Sequence, residues 1–184
     1  ERLNMELKNV QKQAKGGLTV CFTGHRQIAY KDAVRLPSLL ERVLVDLIER
    51  GATTFRAGEA MGFDTAAALK VLELRERYPH IRLELILPCR NQTARWDTIP
   101  GYLEHLRRYK QILGLADCVV YVNDFYTDTC MQERNRYMVE HSSACVAYYS
   151  GYARSGAGQT FRMALTEGLD LFNLWDSVEH SPSN

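Results

Sequence analysis

The sequence predicts an α/β protein with a doubly wound, mainly parallel sheet of about six strands and helices on both faces. Three observations carry this expectation. Apolar runs alternate with amphipathic stretches along most of the 184 residues, the order that strand–helix units produce. The runs Cys118–Val122 and Ala144–Tyr149 are apolar at every position, as strands buried on both faces are. The runs end in short turns rich in Gly and polar residues, and parallel sheets bind ligands at that end.

Residues 1–14 read as one or two helical turns, with Leu3, Leu7 and Val10 on one face and a break at Gly16-Gly17. Residues 1–17 are therefore expected to be a tail or linker, residues 18–176 the domain, and residues 177–184 a C-terminal tail. The first strand is expected at Leu18–Phe22. A helix follows at Pro37–Arg50, with Leu40, Val43, Leu44 and Leu47 on one face. Ser38 and Glu41 have capping-box spacing, and Gly51 suits its end. Strand Thr53–Ala57 and helix Asp64–Tyr78 come next, the helix stopped by Pro79. Strand Ile81–Leu87 ends at Pro88. Helix Tyr102–Leu113, strand Cys118–Val122, helix Thr129–His141, strand Ala144–Tyr149, helix Gly158–Glu167 and strand Leu171–Trp175 complete the series. Two irregular segments, residues 26–36 and 90–101, are long enough to suggest functional loops.

Composition excludes several classes. Net charge is +1 and hydrophobic residues make up 46%, which argues against a strongly basic nucleic-acid module. The basic run His105, Arg107, Arg108 and Lys110 reads as a solvated helix face, so nucleic acid is not the expected partner. No apolar stretch approaches the ~20 residues of a membrane span, and the first residues lack the apolar middle of a secretion signal. Five cysteines, an odd number without C-x-x-C spacing, fit a reduced, cytoplasmic chain. His and Cys show no zinc-type spacing, and neither a metal nor a resident cofactor is expected.

Four loops fall on the ligand-binding edge of such a sheet. Thr23-Gly24-His25-Arg26 follows the first strand. Gly allows close approach of a backbone, Thr offers a hydroxyl, Arg a planar fork for phosphate, and His a proton or a hydrogen bond. The same four residues also suit a tight turn that satisfies neighbouring carbonyls. Gly58 to Asp64 leads into a helix, whose N-terminal amides favour anions. Here Gly58 and Gly62 supply freedom, while Asp64 reads equally as a cap. Glu59 is the odd residue of this loop. It would repel a phosphate, yet it could accept from ribose hydroxyls or act as a base, and it also reads as a solvated turn residue. Pro88, Arg90, Gln92 and Trp96 after the third strand, with Asn123 and Tyr126 after the fourth, bring an Arg, amides and rings suited to a nucleobase or ribose phosphate. Arg134 and Asn135 lie near a helix start. The loop Ser155-Gly156-Ala157-Gly158-Gln159-Thr160 opens a helix in a phosphate-cradle pattern.

Taken in order, Thr23–Arg26, Gly58–Asp64, Pro88 with Gln92 and Trp96, Ala116-Asp117, Arg134-Asn135 with Met138-Val139, and Gly156–Thr160 resemble the YpsA-like branch of the SLOG superfamily, a Rossmann-like group. The resemblance covers about residues 18–175. It implies a ligand derived from a nucleotide, ADP-ribose-like or a nucleoside phosphate, on the Gly-loop edge. Phosphoribohydrolases of this superfamily carry a catalytic Glu in a Gly-Gly-x-Gly-Thr-x-x-Glu loop. Here Arg162 and Met163 stand at the comparable positions, which weakens a hydrolase. Glu59 stands where the family commonly has Gly.

Three functions compete. The favoured one is a module that senses or sequesters a nucleotide-derived small molecule, possible also as a homo-oligomer. The second is an N-glycosidic nucleotide hydrolase, with Glu59 or Asp64 as carboxylate and His25 assisting proton transfer. The third is single-stranded nucleic-acid binding.

Overall fold

A computed structural model describes residues 17–151 and 154–179; the helical turns expected at the N-terminus lie outside the described residues. The elements run β1 (Leu18–Gly24), α1 (Tyr30–Glu49), β2 (Ala52–Ala57), α2 (Phe63–Arg77), β3 (Arg82–Cys89), a 3-10 turn (Trp96–Thr98), α3 (Leu103–Leu115), β4 (Cys118–Asn123), α4 (Cys130–Glu140), β5 (Ala144–Tyr148), α5 (Gly156–Thr166), β6 (Asp170–Asn173) and α6 (Leu174–Glu179). The six strands form one sheet in the order β4-β3-β2-β1-β5-β6, and every neighbouring pair is parallel.

The chain steps outward from β1 to β4 and then returns to lay β5 on the other side of β1. Right-handed crossovers place helices on opposite faces for the two directions. Accordingly α1, α2, α3 and α6 cover one face, and α4 and α5 the other. Alternation along β1 serves both layers. Val20 and Phe22 enter the larger core with Leu40, Leu44, Phe55 and Phe63, while Cys21 enters the smaller one with Met138, Cys145 and Ala164.

Several boundaries differ from those expected, three of them through a tertiary contact. Helix α1 begins at Tyr30, so Pro37 lies inside it and Ser38 with Glu41 are mid-helix positions rather than a capping box. Leu36 extends the buried stripe backward, and the Tyr148 hydroxyl donates to the buried Asp32 carboxyl, tying the first turn to β5. These contacts outweigh the hydrogen bond that Pro37 removes. Strand β3 runs through Pro88 to Cys89. Its pairing with β2 ends at Leu85 while that with β4 continues, so Pro88 lies where one side of the strand is already free. Strand β6 stops at Asn173, and Trp175 begins a helix instead of ending a strand. Leu174 and Val178 bury that helix, which therefore continues past the expected domain end at residue 176.

Candidate functional site

Strand order reverses between β1 and β5, and the crevice at such a switch point is where open α/β sheets take ligands. Two adjoining cavities, about 540 and 590 Å³, open there and share Arg26, Ala60, Met131 and Arg134.

The first cavity is walled by β1 on one side and by the start of α5 on the other. Thr23 and Gly24 are the last residues of β1, paired with Ala147 and Tyr148, so the turn begins later than the tetrapeptide suggested. Gly24 is required by packing: a Cβ there would lie 2.5 Å from the Phe63 ring. Gly62, at φ 80°, lets the start of α2 pass beneath the Arg26 carbonyl. His25 is half-buried beside Tyr148, Tyr149 and Trp175. Its Nε2 accepts from the Ser150 amide at 2.9 Å, and burial lowers its pKa, which keeps the ring neutral. Arg26 is exposed at the cavity mouth, and its guanidinium makes no hydrogen bond or ion pair among the described residues. Across the cavity, Ser155 caps α5 by accepting from the Gly158 amide at 3.2 Å. Gly156 and Ala157 bring first-turn amides, which have no helical acceptor, to the wall, with Thr160 behind them.

A buried polar cluster supports this cavity. Arg134 donates from Nη1 to the Gly58 carbonyl at 2.5 Å and from Nε to Asn135 Oδ1 at 2.7 Å. A Cβ on Gly58 would lie 2.5 Å from that Nη1. Asp64 lines the cavity, and its Oδ2 accepts from the Ala60 amide at 3.4 Å. Burial raises its pKa to about 6 against the opposing pull of Arg134. Glu59 is wholly buried with φ 54°, a backbone region that costs any residue with a Cβ. Both its carboxyl oxygens lack hydrogen-bond partners among the described residues, and burial, with Asp64 nearby, raises its pKa to about 8. It is therefore mostly protonated at pH 7, not a solvated turn residue, and it lines neither cavity.

The second cavity is aromatic. Trp96, Tyr102, His105 and Tyr126 line it with Asn91, Gln92 and Ile99. Trp96 is held by His105 at 4.8 Å and Tyr109 at 5.2 Å between ring centroids. Asn91 Oδ1 accepts from the Tyr126 amide at 3.0 Å, which joins the two loops.

The structure thus gathers Thr23, Gly24, His25, Arg26, Asp64, Gln92, Trp96, Tyr126, Arg134, Gly156 and Thr160 on the cleft. Other candidates fall elsewhere. Arg90 pairs with Asp124 at 3.1 Å and covers the Tyr121 ring. Asn123 donates to Glu133 at 2.6 Å. Pro88 is buried in β3. Gln159 lines an outer groove between α4 and α5. Gly58, Gly62 and Gly158 act through packing and capping. Sequence reading missed His105 and Tyr102 as lining residues. The signal was the 102-105-106-109 spacing, which marks the inner face of α3. The basic run on that helix does not hold together: His105 is buried, while Arg107 and Arg108 pair with Glu104. No group of three or more metal-ligating side chains occurs among the described residues. Nor is any helix among them long and apolar enough to cross a membrane.

Fold and cleft define a Rossmann-like α/β protein with a crevice at the switch point. The chain belongs to the YpsA-like SLOG proteins: the YspA SLOG family model matches residues 20–167. It is similar to the SPbeta prophage-derived protein YoqJ of Bacillus subtilis, 30% identical over 136 residues, spanning 67% of this chain and 76% of that protein. It is also similar to the UPF0398 protein BH1768 of Halalkalibacterium halodurans, 26% identical, spanning 68% of this chain and 62% of that one. Its fold is shared with DNA processing protein A of Helicobacter pylori, at TM-score 0.58 and 19% identity over 90% of this chain and 67% of that one. The Streptococcus pneumoniae protein of the same name gives 0.57 and 17% over 85% of this chain, which spans half of that protein.

Proposed function

We propose that this protein binds a nucleotide-derived small molecule, ADP-ribose-like or a nucleoside phosphate, across the two cavities. One observation carries the reading: a cavity with open helix amides and an aromatic cavity adjoin, and two arginines stand at their junction. A phosphate fits the Gly156 and Ala157 amides, where the helix dipole favours an anion. Arg26 is free to close on it in a bidentate pair. Arg134, committed to Gly58 and Asn135, fixes the floor and adds positive potential. A base fits against Trp96 or Tyr126, and ribose hydroxyls fall between the two ends. Binding without turnover is favoured because Glu59 is buried and mostly neutral and His25 is held at Nε2 by Ser150.

Thermal shift against a panel of nucleoside phosphates and ADP-ribose tests this. A ligand at 100 times its Kd adds about 2.7 kcal/mol of stability. No shift with any member would overturn the reading.

Single-stranded nucleic acid is the second reading. The H. pylori DNA processing protein A has a single-stranded DNA binding mode. In the present chain a further cavity lined by Gly101, Glu104, His105 and Arg108 continues the cleft. Oligonucleotide affinity that grows with length and falls steeply with salt would favour it.

A further inference from the structure

Glu59, Asp64, Gln92 and His105 each keep a buried polar atom without a hydrogen-bond partner among the described residues. Native interiors leave few such atoms, and each asks for an explanation. Two of these residues, Gln92 and His105, line the aromatic cavity beside Trp96, with Gln92 Oε1 and His105 Nε2 as their buried orphan atoms.

We propose that Gln92 reads the edge of a base stacked on Trp96, and that the base it selects carries an exocyclic amine, as adenine does. This rests on the cleft being a nucleotide site. The terminal torsion of a Gln side chain is soft and two-fold, so the amide turns its oxygen or its NH2 to the cleft at little cost. A Gln amide matches adenine with two hydrogen bonds: its oxygen accepts from the N6 amine and its NH2 donates to N7. Hypoxanthine presents two acceptors along the same edge, and the amide oxygen then meets no donor. His105 backs the stack. Its ring lies 4.8 Å from that of Trp96 and tilted by 34°, over one face of the indole, so a base stacks on the other face. Burial, then Arg26 and Arg108, lower its pKa, and the neutral ring adds no charge there.

The test is calorimetric titration with ADP-ribose and with its hypoxanthine counterpart, on the wild type, Gln92→Leu and His105→Phe. The wild type is expected to favour the adenine compound by about tenfold or more, the scale of one bidentate base contact. Gln92→Leu should bring the ratio close to one by weakening the adenine compound alone. His105→Phe, which keeps the packing on Trp96, should leave the ratio unchanged. Equal affinity of the two compounds for the wild type, or a ratio unchanged in Gln92→Leu, overturns the inference and leaves the site standing. Failure of both compounds to bind removes the inference together with the ADP-ribose reading of the cleft.

Discussion

The edge formed by β1, β2 and α5 and the loops that follow β3 and β4 carry similar residues but differ in construction. On the first, the functional groups rest on strand ends and helix starts. Thr23 and Gly24 are held in the β1–β5 ladder, and Arg134 crosses beneath to the Gly58 carbonyl. On the second, Arg90 and Asn123 spend their polar groups on Asp124 and Glu133. The residues of these loops that reach the cleft, Gln92, Trp96 and Tyr126 among them, lie around the Trp96 ring cluster and the Asn91–Tyr126 contact. Polar residues near a sheet edge become a site where the backbone leaves them no local partner.

The strongest way to break the first region is Arg134→Ala. It leaves Asp64 without its main cationic counterpart and strips the Gly58 carbonyl, at a cost of about 3–5 kcal/mol. Urea denaturation measures this, and a loss under 1 kcal/mol would show that the cluster does not brace the edge.

Glu59→Gln comes next. Glu59 has a folded pKa near 8 against an ordinary value of 4.5. The folded state therefore holds a proton that the unfolded chain gives up, and stability falls as pH rises from the ordinary value through about 8. In the Gln variant that part of the slope should vanish, a gain over wild type of about 4 kcal/mol at pH 8. Unfolding curves at pH 5, 6.5 and 8 measure it; parallel pH profiles for the two proteins would contradict the burial of this carboxyl.

Arg26→Ala separates binding from folding. With no hydrogen bond or ion pair to lose among the described residues, its stability should stay within about 0.5 kcal/mol, while nucleotide affinity drops about tenfold or more through loss of a charged hydrogen bond. The smallest effect belongs to the second region. Arg90→Ala removes an exposed ion pair, 62% and 76% exposed at its two ends, and should change neither stability nor affinity measurably. A tenfold affinity loss in Arg90→Ala would mean that its loop rearranges toward the ligand.

Sequence revealed much of this arrangement because strand burial and the Gly-containing turns are local signals. The parallel sheet follows from runs such as Cys118–Val122, and the β1 and α5 walls from their glycines. What stayed hidden depends on contacts between distant residues. The start of α1 is set by the Asp32–Tyr148 bond, 116 positions apart. The burial of Glu59 comes from packing that no spacing rule describes, and the partners of Arg90 and Asn123 were visible only in three dimensions. His105 was hidden among its basic neighbours, although the 102-105-109 spacing of aromatic and imidazole rings separates it from them.

The most direct measurement is backbone and indole chemical-shift mapping of the protein titrated with ADP-ribose. Saturable shifts at Thr23–Arg26, at the Gly156 and Ala157 amides and at the Trp96 indole N–H are expected. No shift, or shifts confined to the exposed face of α3 at Arg107 and Lys110, would contradict nucleotide binding in this cleft.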